Sequence, residues 1–321
     1  MKKISWGIIG CGDVTEVKSG PAFNLVANSE LVAVMRRDEN KAEDYARRHG
    51  ILKWYTDAGE LINDPEVNAI YIATPPAYHE AYTLQAFEAG KAVYVEKPMA
   101  LDSIEAARMS KAAEKNEVKI SVAHYRRAQP RFIKILELIK EKVVGDILSV
   151  NLQFRQAYLP GTENTWRTNP AISGGGLFHD LAPHQLDLML YFFGPPLEIS
   201  GSSINRANLY EADDYANAEI LFSKNILFKG VWDFNARLED EKDICQIEGS
   251  KGLIRFAVFG SLCEVVINGQ SKLLEFDELK HVQQPMIEQV VKYFLDEVIN
   301  PCPGGDGVEV MRMIDRICGK G

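Results

Sequence analysis

Hydrophobic and polar positions follow two different patterns along the chain. Over the first 122 residues, short apolar runs rich in Val and Ile alternate with longer stretches in which apolar residues recur at helical spacing. Strands that alternate with helices form βαβ units, which predicts an α/β, doubly wound parallel sheet of the Rossmann type. The predicted strands are residues 4–9, 30–35, 69–73, 92–96 and 119–123, and the predicted helices are residues 14–28, 40–49, 77–89 and 103–115.

From residue 123 onward the pattern is mainly that of strands. Few helices separate these strands, so we expect a C-terminal α+β domain with a mostly antiparallel sheet. Its predicted strands are residues 147–157, 199–205, 215–222, 226–234, 244–248, 253–257 and 263–267, and its predicted helices are residues 131–142, 177–193, 285–298 and 308–317. The pattern therefore predicts two domains, residues 1–122 and residues 123–321.

Composition agrees with this organisation and excludes several classes of protein. A length of 321 residues fits two domains at about 150 residues each. The net charge of −9 and the pI near 5.3 argue against a protein that binds nucleic acid or an anionic membrane through a basic surface. The five cysteines have no metal-binding spacing, so we expect no metal site and free thiols in a reducing cytoplasm. No signal peptide or long apolar segment is apparent, which favours a cytoplasmic location.

A glycine-rich turn follows the first predicted strand. It consists of Gly10, Cys11, Gly12, Asp13 and Val14. Gly10 permits a tight turn, and Gly12 allows a pyrophosphate to approach the backbone at the start of the next helix. Thr15 replaces the third glycine of the usual fingerprint, so slightly wider packing of helix against strand is expected. Between a first strand and a first helix, this turn predicts a dinucleotide site.

The end of the second predicted strand indicates which nicotinamide cofactor is used. NAD-preferring sites usually place an acidic residue there, where it accepts from the ribose hydroxyls. This chain has Arg36 and Arg37 instead. Guanidinium groups bind a 2′-phosphate well, which favours NADP. NAD remains the alternative, because Asp38 would reach the ribose if the strand ended one residue later.

Two further motifs lie at the ends of predicted strands, where ligands bind in open α/β sheets. The first is Thr74, Pro75 and Pro76, an extended stretch expected to run along the cofactor, with His79 as a helix-start residue that touches it. The second is Glu96 and Lys97, followed by a proline. A lysine at the rim of a sheet is placed to donate to a substrate oxygen, and both residues of this motif are predicted to lie at the cofactor.

A third motif lies in the second predicted domain, after three consecutive glycines. Asp180 and His184 are four residues apart and therefore share one face of a helix. A histidine held by carboxylates is suited to proton transfer at an alcohol or carbonyl oxygen. Asp187 is placed to orient the His184 ring, while His179 points elsewhere and is interpreted as a packing group.

Taken together, the motifs resemble those of the Gfo/Idh/MocA oxidoreductase family, named for glucose-fructose oxidoreductase and inositol dehydrogenase. The resemblance rests on the first glycine run from Gly7 to Gly12, on Thr74-Pro75-Pro76, on Glu96-Lys97-Pro98, and on Gly175-Gly176 with Asp180, His184 and Asp187. These motifs stand in the family's order, and the later β-rich part looks like the family's open-faced sheet. The departures are Thr15 and the Arg36-Arg37 pair.

The resemblance implies roles for individual residues. Lys97 matches the lysine that polarises the reacting oxygen, His184 matches the acid/base histidine, and Asp180 matches the acidic member of that trio. Substrate contacts are implied for Asp180 and His184, and for residues of two further segments. The latter contribute Tyr125 and Arg126, and Tyr158, Trp166 and Arg167.

The function implied is reversible hydride transfer between a nicotinamide and a carbon bearing oxygen in a sugar, polyol or related compound. Two alternatives remain: a glycosidase that uses tightly held NAD for transient oxidation, and a regulator that senses nicotinamide without turnover. An open sheet would expose Val231, Trp232 and Phe234, so we expect a homodimer or homotetramer formed through the C-terminal sheet.

Overall fold

The structure, a computed structural model, describes residues 3–320 and divides into two compact units. Unit 1 contains the chain up to residue 129 together with residues 279–308, and unit 2 contains residues 130–278 together with the chain from residue 309. This division differs from the single boundary predicted after residue 122. The physical reason is that residues 279–308 pack on unit 1, where Gln283 binds Glu96 and Asp306 binds Arg127.

Unit 1 is built on a six-stranded parallel sheet. Its strands are β1 (Ile4–Ile9), β2 (Ser29–Met35), β3 (Lys53–Tyr55), β4 (Ala69–Ile72), β5 (Ala92–Val95) and β6 (Ile120–Val122). They are arranged in the order β3-β2-β1-β4-β5-β6, and every neighbouring pair is parallel. This order is that of the Rossmann fold, so the predicted fold is confirmed. Residues of β4 and most of β1 are fully buried, as expected for a sheet covered on both faces.

Unit 2 is built on an eight-stranded sheet. Its strands are β7 (Ile147–Ala157), β8 (Glu198–Ile204), β9 (Tyr215–Phe222), β10 (Ile226–Ala236), β11 (Lys242–Gly249), β12 (Gly252–Phe256), β13 (Cys263–Ile267) and β14 (Gln270–Leu273). The order is β14-β13-β12-β11-β7-β10-β9-β8. Only the pairing of β7 with β10 is parallel among these neighbours, so the expectation of a mostly antiparallel sheet is confirmed.

Eleven α-helices complete the two units within the described residues. They are α1 (Asp13–Val17), α2 (Ala22–Leu25), α3 (Glu39–His49), α4 (Ala58–Ile62), α5 (His79–Glu88), α6 (Ser103–Lys115), α7 (Pro130–Lys140), α8 (Pro170–Ser173), α9 (Leu177–Phe193), α10 (Gln284–Phe294) and α11 (Gly304–Ile317). Helices α1 to α6 and α10 belong to unit 1, and α7 to α9 belong to unit 2. Within residues 3–320, no helix combines the length and hydrophobicity needed to span a lipid bilayer.

The first predicted helix is wrong in its extent. Residues 14–28 form two short helices, α1 and α2, with a turn between them. The chain passes so close to itself in this turn that a side chain on Gly20 would collide with the Thr15 carbonyl oxygen. Pro21, which follows, has no N–H to continue a helix. Only the five residues of α1 therefore follow the glycine turn directly.

Helix α9 covers one face of the unit 2 sheet. The indole N–H of Trp232 donates to Oε1 of Gln185 in this helix at 2.7 Å, and Phe178 packs edge-on against the same indole. Alternate residues of the strands point to the opposite side, which we call the open face, and there Val231 remains partly exposed. Trp232 and Phe234 are buried on the helix side. The expectation that both would be exposed is therefore wrong, because strand alternation directs them toward α9.

Candidate active site

The glycine turn after β1 is shaped by its two glycines and by Thr15. Gly10 has a φ of +94°, and an added Cβ there would lie 2.9 Å from the backbone of Ala73 and Thr74. At Gly12 the nearest atom to an added Cβ is 3.9 Å away, so the space above this residue is open. The Thr15 hydroxyl accepts from the Gly12 N–H at 3.0 Å and donates to the Gly12 carbonyl at 2.8 Å. Threonine thus holds the turn closed at the position usually occupied by a third glycine.

The other residues predicted in this turn occupy different environments. Cys11 is fully buried, and burial raises the pKa of its thiol to about 11, so the thiol is neutral. Asp13 and Val14 open helix α1, where Asp13 is exposed and Val14 is half-buried. The contribution of Cys11 to the turn is therefore made by its backbone.

Strand β2 ends at Met35, so Arg36 is the first residue beyond the sheet. Its guanidinium donates to the Cys11 carbonyl at 3.1 Å, which places a cation directly beside the glycine turn. Asp38 is the N-cap of α3, and its carboxylate accepts from the Lys41 N–H at 3.1 Å. The acidic group on which NAD use would depend is thus engaged in capping a helix.

The segment after β4 is linked to its neighbours by a cation–π contact and a histidine. Residues 76–78 form a short 3₁₀ helix, and the Arg37 guanidinium lies 5.2 Å from the centre of the Tyr78 ring. The His79 ring lies between the carbonyl oxygens of Thr74 at 2.7 Å and Pro98 at 3.0 Å. Burial lowers the pKa of His79 to about 4, so its ring is neutral. A neutral ring has a single N–H and donates to one of these two oxygens. The fully buried His79 ring therefore lies between the ends of β4 and β5 with one hydrogen bond.

Glu96, at the end of β5, is the centre of a buried hydrogen-bond network. Its Oε1 accepts from the Tyr71 hydroxyl at 2.5 Å and from Nε2 of Gln283 at 2.6 Å. Its Oε2 accepts from the backbone N–H of Lys97 at 3.1 Å. Glu96 is only 5% exposed, whereas Lys97 is half-buried. The carboxylate therefore fixes the peptide that carries the lysine, and a cis peptide bond joins Lys97 to Pro98.

A short 3₁₀ helix over Tyr125–Ala128 follows β6. The Arg126 guanidinium lies 5.5 Å from the centre of the Tyr125 ring, and both side chains are largely buried. Arg127 forms an ion pair of 2.5 Å with Asp306 from the returning segment. This turn thus places two of the predicted substrate residues in unit 1.

In unit 2, the three glycines before α9 allow the chain to enter the helix. Gly174 and Gly176 have φ values of +90° and +87°. The His179 ring packs directly against Gly175, where any side chain would collide with it. Burial lowers the pKa of His179 to about 3, which makes the ring neutral. This environment agrees with the interpretation of His179 as a packing group.

Asp180 and His184 lie one turn apart on α9, and Arg167 contacts the first of them. Nε of Arg167 donates to Oδ2 of Asp180 at 3.1 Å, and its guanidinium lies 4.5 Å from the Trp166 ring centre. The His184 ring is 4% exposed and packs edge-on against Phe259. Three of the predicted residues of unit 2 (Trp166, Arg167 and Asp180) are thus brought into direct contact.

Two other residues predicted in unit 2 have defined surroundings. The Tyr158 hydroxyl donates to Glu163 in the loop that follows β7. Asp187 is almost completely buried on α9, one turn beyond His184. Its orienting action on the His184 ring stays a prediction.

Sequence reasoning missed two residues that shape the unit 1 part of the site. Tyr78 directly follows the predicted proline segment, so its position beside that motif was a usable signal. Gln283 lies 187 residues from Glu96 along the chain. No local pattern links such distant positions, and only the fold brings them together.

Comparisons with known proteins agree with this geometry. Residues 4–124 match the model of an oxidoreductase family with an NAD-binding Rossmann fold, and residues 132–255 match the Gfo/Idh/MocA C-terminal domain. Oxidoreductase P35 of Formosa agariphila is 46% identical over 321 residues, which is 99% of each chain. The NADP⁺-dependent scyllo-inositol 2-dehydrogenase of Bacillus subtilis is 28% identical over 69% of this chain and 60% of that protein.

Among solved structures, the aldose-aldose oxidoreductase of Caulobacter crescentus superimposes with a TM-score of 0.87. It is 22% identical, and the match covers 98% of this chain and 96% of that one. With both domain models matched and a relative of 46% identity along the whole chain, the protein belongs to the Gfo/Idh/MocA family of nicotinamide-dependent oxidoreductases.

Proposed function

We propose that this oxidoreductase transfers a hydride reversibly between a nicotinamide cofactor and a carbon that bears oxygen in a sugar or polyol. The substrate class is supported by the family and by the relative named as an inositol dehydrogenase. The observation that carries the proposal is the fixed position of Lys97. Its backbone is held by Glu96 at the end of β5, on the same edge of the parallel sheet as the glycine turn after β1.

The residues of the turn fit a dinucleotide. The absence of a Cβ at Gly12 leaves open space above its backbone. Gly10 adopts a backbone conformation that favours glycine. Backbone N–H groups at such a turn suit the pyrophosphate. We assign the remaining cofactor contacts to the ends of β2, β4 and β5. These are Arg36 and Arg37, Thr74, Pro75 and Pro76, and Glu96 and Lys97, with His79 positioning the last two segments.

We further propose that NADP is preferred over NAD. Arg36 lies beside the glycine turn, and Arg37 lies over Tyr78 at the next strand end. Two guanidinium groups at this edge suit a 2′-phosphate, because the fork of N–H donors matches its oxygens. Asp38 caps α3 and is therefore drawn away from a ribose hydroxyl.

When bound, the nicotinamide supplies the site that accepts or donates the hydride. The chain manages the oxygen and its proton. In the reducing direction, the Lys97 ammonium stabilises the negative charge that develops on the substrate oxygen, and His184 donates the proton to it. In oxidation the same two groups act in reverse. Asp180, one turn before His184 on α9, supplies the acidic group beside the histidine.

The remaining proposed contacts hold the substrate ring. They are made by Tyr125 and Arg126, and by Tyr158, Trp166 and Arg167. Arg167 also orients Asp180 through the hydrogen bond between Nε and Oδ2.

The role of Lys97 is tested by Lys97→Ala. We expect turnover to fall by at least 100-fold, since an electrostatic group at the reacting oxygen is lost, while the Kd for NADPH stays within about twofold. Lys111→Ala, an exposed lysine of α6, is the matched control and should keep full activity. Equal losses of turnover and NADPH affinity would instead make Lys97 a cofactor anchor. Consumption of a glycoside without net formation of NADH would favour the redox-assisted glycosidase.

The cofactor preference is tested by titrating NADPH and NADH separately and following tryptophan fluorescence. We expect NADPH to bind at least tenfold more tightly than NADH, and Arg37→Gln to reduce that ratio by weakening NADPH alone. Arg47→Gln removes the same charge from the exposed face of α3 and should leave the ratio unchanged. Equal affinities in the wild-type protein would contradict the assignment of the 2′-phosphate to this edge.

We also propose self-association through the open face of the unit 2 sheet, as a homodimer or homotetramer. Val231 and the neighbouring strand residues of this face are partly exposed. Light scattering after gel filtration should give two or four chains per particle at micromolar concentration. A monomer of 36 kDa, the rounded chain mass, would refute the proposal.

A further inference from the structure

A cavity of about 390 Å³ lies in unit 2 between two loops that leave the same edge of the sheet. One loop follows β7 and the other joins β8 to β9. Strands β7 and β8 run in the same direction, so their carboxyl ends lie at one edge. The lining residues that decide its chemistry are Glu163, Asn164, Trp166, Ile172, Leu209 and Glu211. Of these, only Trp166 belongs to the substrate contacts proposed above.

The cavity lies beside the start of α9, the helix that carries Asp180. The Arg167 guanidinium lies 4.5 Å from the ring centre of Trp166 in the cavity wall, and its Nε donates to Asp180 at 3.1 Å. On the other loop, Ala212 packs so closely on Gly176 that a Cβ added there would lie 2.4 Å from the Ala212 Cβ. The cavity therefore adjoins the helix and not the open face, and one side chain separates it from the proposed acidic residue.

Hydrogen bonds within each loop hold the cavity walls in place. The hydroxyl of Thr168, which is 2% exposed, lies within 3.0 Å of the carbonyl oxygens of three residues of the same loop. Asn169 caps α8 through its side chain. In the second loop, Nδ2 of Asn205 donates to the Tyr210 carbonyl at 2.6 Å, and its Oδ1 accepts from the Asn208 N–H at 2.8 Å. Walls of this kind lower the entropy cost of binding a ligand.

The polar side chains of the lining have capacity to bind a ligand. Within the described part of the chain, no hydrogen bond or ion pair involves the Asn164 amide, the Trp166 indole N–H or the Glu211 carboxylate. Glu163 accepts from the Tyr158 hydroxyl through one oxygen, which leaves the other oxygen available. The lining thus offers both donors and acceptors, as the hydroxyl groups of a sugar require.

Apolar surface and charge narrow the class of ligand. Ile172, Leu209 and the Trp166 ring supply apolar surface for the C–H groups of a sugar ring. The lining also contains the carboxylates of Glu163 and Glu211, and none of its residues, all of which the structure describes, is basic. Such a lining repels a ligand that bears a carboxylate or sulfate group. An uncharged ring is therefore favoured, and the volume is at the lower end of the range for small-molecule sites.

We propose that this cavity binds a second, uncharged sugar ring, so that the substrate is a glycoside of two or more rings and not a free monosaccharide. One ring occupies the proposed site of hydride transfer, and the next ring extends past Arg167 into the cavity. There Trp166 packs against the ring, while Asn164 and Glu211 bind its hydroxyl groups. The inference rests on the proposed function, because it names the substrate class of that same site.

The test is isothermal titration calorimetry of the full chain loaded with NADPH. Methyl β-D-glucoside and methyl β-D-galactoside are the single-ring probes, and methyl β-cellobioside, methyl β-lactoside and methyl α-maltoside are the two-ring probes. None of them has a carbonyl group that NADPH could reduce, so no turnover accompanies binding. We expect at least one two-ring probe to bind at least tenfold more tightly than either single ring.

Variants of the lining identify where the second ring binds. Asn164→Ala and Glu211→Gln should each weaken the preferred two-ring probe about fivefold, because a hydrogen bond to the second ring is lost. Both should leave the affinity for the single rings within twofold. Glu198→Gln removes the same charge as Glu211→Gln from an exposed position of β8 outside the lining, and should bind all probes as the wild type does.

The charge of the ring is tested with two uronates of the preferred two-ring probe, each oxidised at C6 of a different ring. The uronate whose carboxylate enters the cavity should bind at least tenfold more weakly than its parent, and Glu211→Gln should restore part of that loss. Equal binding of the parent and both uronates would refute the selection of an uncharged ring.

Two further results would overturn the proposal. These are two-ring probes that bind no more tightly than single rings, and lining variants that bind the preferred probe as the wild type does. If two-ring selectivity is absent while Lys97→Ala still slows turnover, only the second-ring site is refuted. Tight binding of a two-ring probe by a protein that transfers no hydride would instead refute the proposed function.

Discussion

The hydrogen bond between Gln283 and Glu96 is predicted to stabilise unit 1 and to support catalysis. Gln283→Leu removes the side-chain amide that donates to Oε1 of Glu96 at 2.6 Å and replaces it with an apolar group of similar size. The backbone N–H of residue 283 still donates to the Lys18 carbonyl. The variant therefore changes only side-chain contacts: the strong bond to Glu96 and a longer one of 3.4 Å that Oε1 of Gln283 accepts from the Tyr94 hydroxyl.

The magnitude follows from the surroundings of the carboxylate. Glu96 is 5% exposed and accepts from three donors, of which two remain in the variant. A hydrogen bond to a charged group contributes about 1.5–3 kcal/mol, and water has little access to replace the lost donor. We expect the free energy of unfolding to fall by about 2 kcal/mol.

Catalysis should respond as well, because the same carboxylate holds the peptide N–H of Lys97. Loss of one donor gives Glu96 more freedom, and a displaced lysine stabilises the substrate oxygen less well. We expect kcat to fall about tenfold while the Kd for NADPH changes by less than twofold.

Urea unfolding and steady-state kinetics test both effects. The matched control is Gln284→Leu, the same substitution one residue later, where the side chain makes no hydrogen bond in the described structure. If the two variants have equal unfolding free energies, the side-chain bonds of Gln283 to Glu96 and Tyr94 contribute nothing to stability. If Gln283→Leu is destabilised but fully active, the network does not position Lys97.

Two other substitutions test the glycine turn after β1 and the buried ring of His79. Gly10→Ala places a Cβ 2.9 Å from the backbone of Thr74, whereas Gly50→Ala, also at positive φ, meets nothing within 4 Å. Differential scanning calorimetry should show a larger loss of stability for Gly10→Ala, and equal losses would exclude a steric role. His79 is neutral when folded, with a pKa near 4 instead of 6.5. Its stabilising contribution is therefore complete above pH 6.5 and is lost as the pH falls to 4. His79→Asn should flatten the stability profile in that window by on the order of 3 kcal/mol, and an unchanged slope would contradict neutrality.

Much of the fold was predictable because the burial of a strand determines the pattern of apolar residues in its sequence. The strands of unit 1 are buried on both faces, so runs such as residues 69–73 stand out in the sequence. Strand β3 was missed because Lys53–Tyr55 is only three residues long and partly exposed. The helix break at Gly20 and Pro21 was missed because helical spacing of apolar residues continues across it.

The candidate site was predictable only in part. The glycine turn and the Glu96-Lys97 motif are each formed by neighbouring residues, so the order and spacing of those residues were enough to predict them. The side-chain donors that hold Glu96 come from Tyr71 and Gln283, which lie 25 and 187 residues away along the chain. Contacts of this kind depend on topology, which residue spacing does not encode.

The return of residues 279–308 to unit 1 has a consequence for synthesis of the chain. The ribosome synthesises residues 1–129 long before it adds Gln283 and Asp306, the partners of Glu96 and Arg127. Unit 1 therefore cannot complete the contacts of the Glu96 carboxylate and the Arg127 guanidinium until nearly the whole chain has been synthesised. Unit 2 in turn needs the chain from residue 309, so both units are completed only when synthesis is nearly finished.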